Sequence, residues 1–144
     1  MRTCFLGIVG VTTAMLLSGS PARASDITGT WSTVDNKSHV KIEPCGEKLC
    51  GKVIWLKTPT GADGKPVIDK NNSDDALKSR PILGMELLTA FVPSGSNEWD
   101  GGKIYNPEDG KTYDASLSLE KPDQLNVKGC IAIFCKTKVW SKIQ

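Results

Sequence analysis

The sequence predicts an all-β domain, an antiparallel barrel or sandwich, and three observations carry that prediction. About eight short runs rich in β-branched and aromatic residues recur at roughly 8–12-residue spacing. Gly, Pro, Asn and Asp clusters separate most of them. One stretch, Trp99 to Leu119, reads as a complete β-hairpin.

In that hairpin Trp99 and Gly101-Gly102 lead into Lys103-Ile104-Tyr105, and the return strand runs from Thr112 to Leu119. The turn between them is Asn106-Pro107-Glu108-Asp109-Gly110. Pro107 presets φ at the first turn position, and Asp109-Gly110 supplies a residue that tolerates positive φ. Ala115, Leu117 and Leu119 alternate with Ser116 and Ser118, so one face is apolar and the other wet.

The other strands follow in chain order. Asp26 to Val34 contains Ile27-Thr28-Gly29-Thr30-Trp31, a β-forming composition, and Asp35 to Ser38 is a turn. His39 to Glu43 sets Val40 and Ile42 against His39, Lys41 and Glu43. Cys50 to Lys57 places Val53 and Trp55 on one side and Ile54 and Leu56 on the other, which predicts cover on both faces. Thr58 to Asn72 is a long irregular segment, a class of loop that is often functional. Ser73 to Lys78 suits one short helical turn capped by Asn72 or Ser73 and ended by Pro81. Ile82 to Val92 reads as a strand, with a short helix as the alternative. Gln124 to Gly129 alternates through Leu125 and Val127. In Cys135 to Ile143, Thr137, Val139 and Ile143 share one face, and Lys136, Lys138, Trp140 and Lys142 share the other.

The N-terminus reads as a cleaved signal peptide over residues 1–24. Arg2 precedes the apolar run Phe5 to Leu17, and Ala22-Arg23-Ala24 fits the small-x-small cleavage rule. The apolar run is too short for an ordinary membrane span. Residues 25–144 then form a single domain in the periplasm or outside the cell, with no stable membrane insertion expected. Removing Arg2 and Arg23 from the 18 basic residues leaves 16, equal to the 16 acidic residues. A neutral chain has no general electrostatic pull on nucleic acid or anionic lipid. A domain of this size buries roughly 65% of its unfolded surface, enough for a core.

Four cysteines lie beyond the leader, and an even count in an exported chain argues for disulfides. Three pairings are open; the local pairs Cys45–Cys50 and Cys130–Cys135 are favoured because Gly46 to Leu49 looks like a hairpin tip. A four-thiolate zinc site is the weaker alternative, since the spacing is wider than a zinc knuckle. No metal or other cofactor is expected.

No nucleophile–base pair or catalytic motif occurs, so the chain reads as a non-enzyme. His39, the only histidine, sits on a polar strand face where solvation accounts for it. Asp74-Asp75 and Glu108-Asp109 are explained as caps and turns. Arg80 is the only arginine of residues 25–144, against fifteen lysines. Its rigid fork suits either an anionic ligand or a structural tie between the long loop and the barrel. Trp31, Trp55, Trp99 and Trp140, with Tyr105 and Tyr113, supply aromatics that either line a pocket or fill a core. The candidate ligand-binding set is Arg80, Trp55, Trp99, Tyr105 and Tyr113.

Four stretches together resemble an exported bacterial family known as domain of unknown function 2147. They are Gly51 to Leu56, Arg80-Pro81-Ile82-Leu83-Gly84, the segment Trp99 to Tyr113, and Gly129-Cys130 with Cys135 and Trp140. The family pattern usually ends Trp-Thr-Arg, where this chain has Trp140-Ser141-Lys142. The resemblance implies a small eight-stranded lipocalin-like barrel without an assigned activity. Gly29-Thr30-Trp31 is similar to the lipocalin Gly-x-Trp opening, in which the Trp closes one barrel end under a basic residue of the last strand. Lys138 or Lys142 would fill that place. The strand count and the aromatic supply predict a binding protein that holds a small apolar or amphipathic ligand inside the barrel, with Arg80 and Tyr113 as polar contacts. A structural or protein-interaction module of the cell envelope, using the Thr58 to Asn72 loop, is the alternative.

Overall fold

The computed structural model describes Gly19 and residues 25–143; the leader expected over residues 1–24 lies, Gly19 apart, outside the described residues. Eight strands close in sequence order into an antiparallel barrel, so the barrel rather than the sandwich is formed. They are β1 (Gly29–Ser32), β2 (Ser38–Cys45), β3 (Lys48–Leu56), β4 (Glu86–Gly95), β5 (Glu98–Asn106), β6 (Lys111–Lys121), β7 (Gln124–Ile131) and β8 (Phe134–Lys142). The described residues add only two 3-10 turns, Val34–Asn36 and Asp75–Leu77. No helix among them is long and apolar enough to cross a membrane.

The β5–β6 hairpin forms as its turn chemistry directs. The Gly110 N–H donates to the Asn106 carbonyl at 2.8 Å, and Gly110 adopts φ 70°. Tyr105 pairs with Thr112 and Trp99 with Leu117 across the ladder. Gly102 leaves room for Phe91: a Cβ there would lie 2.5 Å from the Phe91 ring.

Both local disulfides are formed. Cys130 and Cys135 are directly opposed partners at the β7–β8 tip, and Cys45–Cys50 spans the β2–β3 tip. Closing such short loops contributes about 2 kcal/mol each in the chain-entropy account.

The barrel is filled at one end and hollow at the other. Trp31, Ile42, Phe91, Trp99, Leu117 and Leu125 pack the filled end. The segment before β1 covers that end: Ile27 is buried, and the Ser25 N–H donates to the Ser96 carbonyl at 2.8 Å. Trp31 donates its indole N–H to the Ile27 carbonyl at 2.9 Å. Lys142 Nζ lies 5.4 Å from the Trp31 ring, so the basic place over this Trp belongs to Lys142 and not Lys138.

The structure corrects three local expectations. In β3 the pairing with β2 slips between His39 and Val40, leaving Ile54 as a bulged residue. The bulge breaks the strand alternation and turns Ile54 and Trp55 outward together, 46% and 38% exposed; the outer face of β3 is therefore not covered. β4 begins at Glu86, so Ile82 to Met85 belong to the preceding loop. The cap of the second 3-10 turn is Asp74, whose carboxylate accepts from the Ala76 N–H at 2.9 Å. Asn72 instead accepts from the Asp74 N–H at 2.8 Å and sets the turn one step earlier.

The barrel cavity, a candidate ligand site

The hollow end forms a cavity of about 870 Å³. Its mouth is ringed by the β1–β2, β3–β4, β5–β6 and β7–β8 connections, which an up-and-down barrel gathers at one end. Val53, Leu87, Val127 and Trp140 make the floor where the packed core stops. Leu56, Ile104 and Ile131 continue the apolar walls.

Two polar contacts order the mouth. Lys37 of the β1–β2 connection pairs with Glu108 of the β5–β6 turn at 3.1 Å. Tyr113 donates its hydroxyl to Asp109. Burial pushes the Asp109 carboxyl up, but hydrogen bonds from Tyr113, the Lys111 N–H and Asn106 outweigh it and hold the group below the ordinary value. The same bond, followed by burial and the Asp109 charge, raises the Tyr113 phenol.

The long β3–β4 connection is fastened to the wall by a buried carboxylate. Asp69 is fully buried and accepts from Arg80 Nε at 2.9 Å, Asn72 Nδ2 at 2.8 Å and the Tyr105 hydroxyl at 2.6 Å. The Arg80 guanidinium also lies 5.2 Å from the Tyr105 ring centre. Asn71 Nδ2 donates to the Pro107 and Glu108 carbonyls at 3.0 Å each, docking the loop on the β5–β6 turn. The approach is so close that a Cβ on Gly110 would collide with the Asn71 carbonyl.

Of the five candidate residues, the structure brings Tyr105 and Tyr113 to the cavity wall. The other three stand elsewhere. Arg80 is turned to Asp69, because a buried carboxylate demands a charged, hydrogen-bonding partner. It is the structural tie of the two roles expected for it, and the tie runs through the Asp69 carboxylate. Trp55 is on the outside, thrown there by the Ile54 bulge, and stacks on His39 with ring centres 4.2 Å apart. Trp99 is in the packed end. His39 shares an outer-surface hydrogen bond with Asn36 at 2.8 Å.

Sequence reasoning missed Asp69, the centre of the loop's anchoring. It also left open which face of β8 looks inward. The structure turns the lysine-bearing face in: Trp140 is buried, and Lys136 and Lys138 line the cavity beside it. The one available signal was Trp140 on the lysine face.

Comparison with known proteins agrees with this architecture. Among solved structures, the chain is similar to one titled "Protein HP1028 from the human pathogen Helicobacter pylori belongs to the lipocalin family". The TM-score is 0.70 at 24% identity, over 83% of this chain and 84% of that one. This is a likeness of fold: a lipocalin-like barrel. No curated protein matches the chain. Residues 29–142, from the first strand to the last of β8, match the family described as "Uncharacterized protein conserved in bacteria (DUF2147)", and the chain belongs to that family.

Proposed function

We propose that this protein is a periplasmic or secreted binding protein that holds a small apolar or amphipathic molecule in the barrel, without catalysing a reaction. The observation that carries the reading is the cavity. Its volume of about 870 Å³ falls in the range of small-molecule sites, and its floor and walls are chiefly apolar side chains. Export is supported by the leader-like sequence of residues 1–24 and by the two disulfides, which persist in oxidising compartments.

Filling the cavity from within tests the proposal. Ile104 is half-buried on the wall, and Ile104→Trp projects an indole into the space. Purified protein stripped of bound molecules should enhance the fluorescence of an uncharged probe, N-phenyl-1-naphthylamine, and Ile104→Trp should reduce that affinity at least about tenfold. Equal binding by a folded Ile104→Trp variant would place the probe outside the cavity and contradict the proposal.

A specific observation favours a second reading, an envelope interaction module. Ile133 and Phe134, at the disulfide-held β7–β8 tip, are 87% and 77% exposed beside the mouth. Large apolar side chains presented together suit a partner surface.

A further inference from the structure

Resting on that cavity reading, we infer that the ligand is a single-chain amphiphile with an anionic head, and that Lys136 and Lys138 receive the head. The β7–β8 register places four inward pairs from floor to mouth: Leu125 with Trp140, Val127 with Lys138, Gly129 with Lys136, and Ile131 with Phe134. Leu125, Val127 and Trp140 are buried, which fixes this face of the ladder as the inner one. Lys138 therefore stands opposite the floor residue Val127, one inward step beyond Trp140, and Lys136 one step nearer the mouth, both on the cavity lining.

The charges around them leave these two lysines uncompensated. Among the described residues neither makes an ion pair or a side-chain hydrogen bond. The two acids of the lining are engaged at the mouth: Glu108 with Lys37, and Asp109 with the Tyr113 hydroxyl. One wall thus presents two ammonium groups, while Leu56, Leu87 and Ile104 present hydrocarbon. An ammonium donates to a carboxylate with a charge-assisted bond, stronger than its bond to a neutral hydroxyl. Both lysines stay in contact with water, so their charge is carried without full desolvation.

Edge protection is the competing account of inward lysines. β8 meets β1 only at Ser141 and Lys142, and charged residues on an open edge deter strand pairing between molecules. The two accounts differ in what they predict for head-group charge.

Displacement of N-phenyl-1-naphthylamine from the purified protein by dodecanoate, dodecanol and dodecylamine separates them. Dodecanoate is expected to bind about tenfold or more tighter than dodecanol, and dodecylamine weakest. In Lys136→Met/Lys138→Met, which keeps the stems and removes the charges, the advantage of dodecanoate over dodecanol should vanish. Equal affinity of dodecanoate and dodecanol for the unaltered protein overturns the inference, whether or not the variant folds. So does an advantage that persists in the folded double variant. A probe that never enters the unaltered protein overturns the cavity reading itself, and this inference with it.

Discussion

Asp69 accepts three side-chain hydrogen bonds at once and has no contact with water. Each donor sits on a different part of the loop and wall, so one carboxylate fixes the position of the segment that borders the mouth. Asp69→Ala would leave Arg80 without its counter-charge and the Tyr105 hydroxyl and Asn72 amide without their acceptor. Removing one partner of such a pair costs about 3 kcal/mol or more. Urea unfolding is expected to show a loss of that size, and a loss under about 1 kcal/mol would mean the loop is held elsewhere. The same network gives a pH dependence. Burial, then the hydrogen bond to Asp69 and that carboxylate's charge, raise the Tyr105 phenol above its ordinary 10.0, with Arg80 opposing. A group raised in the folded state contributes its stability fully below the unfolded value and loses it as pH rises through the folded value. Stability is therefore expected to decline as pH passes 10.0. Tyr105→Phe, which cannot ionise, should flatten that decline in denaturant midpoints measured between about pH 8 and 11. An unchanged slope would contradict the assignment to Tyr105.

At the level of the strand, what could be read in advance depended on how local its causes are. The β5–β6 hairpin was legible because its turn carries its own instructions in Pro107, Asp109 and Gly110. Both disulfides were legible because each bridges its own hairpin tip. β3 was misread because the Ile54 bulge is imposed by pairing with β2, and no residue of β3 announces it. That single slip moved Trp55 from a candidate pocket residue to a surface stack on His39. β8 exposes a different limit. Binary patterning assumes a dry interior, whereas the inner face of β8 borders a water-accessible cavity and bears lysines there. Only Trp140, out of place on a charged face, pointed to the true orientation. Asp69 gave a thin signal: one acid after Val67-Ile68, with the only described arginine eleven residues on.

At the scale of the whole molecule, the barrel divides its labour between its ends. Trp31, Phe91 and Trp99 are packed at the covered end, where the segment before β1 and Lys142 finish the closure. The hollow end gives up that packing for open space, and it is bounded by an ordered loop, a mouth ion pair and an apolar tip. On the proposed binding role, the packed end carries the stability and the hollow end the recognition, which would let a ligand exchange without disturbing the core. Native mass spectrometry of the protein purified from its own host, repeated after denaturation, tests this division most directly. The account predicts a small molecule bound under native conditions and released on unfolding, its mass and charge matching an anionic amphiphile. A bare protein mass that also fails to gain dodecanoate when it is added would contradict it.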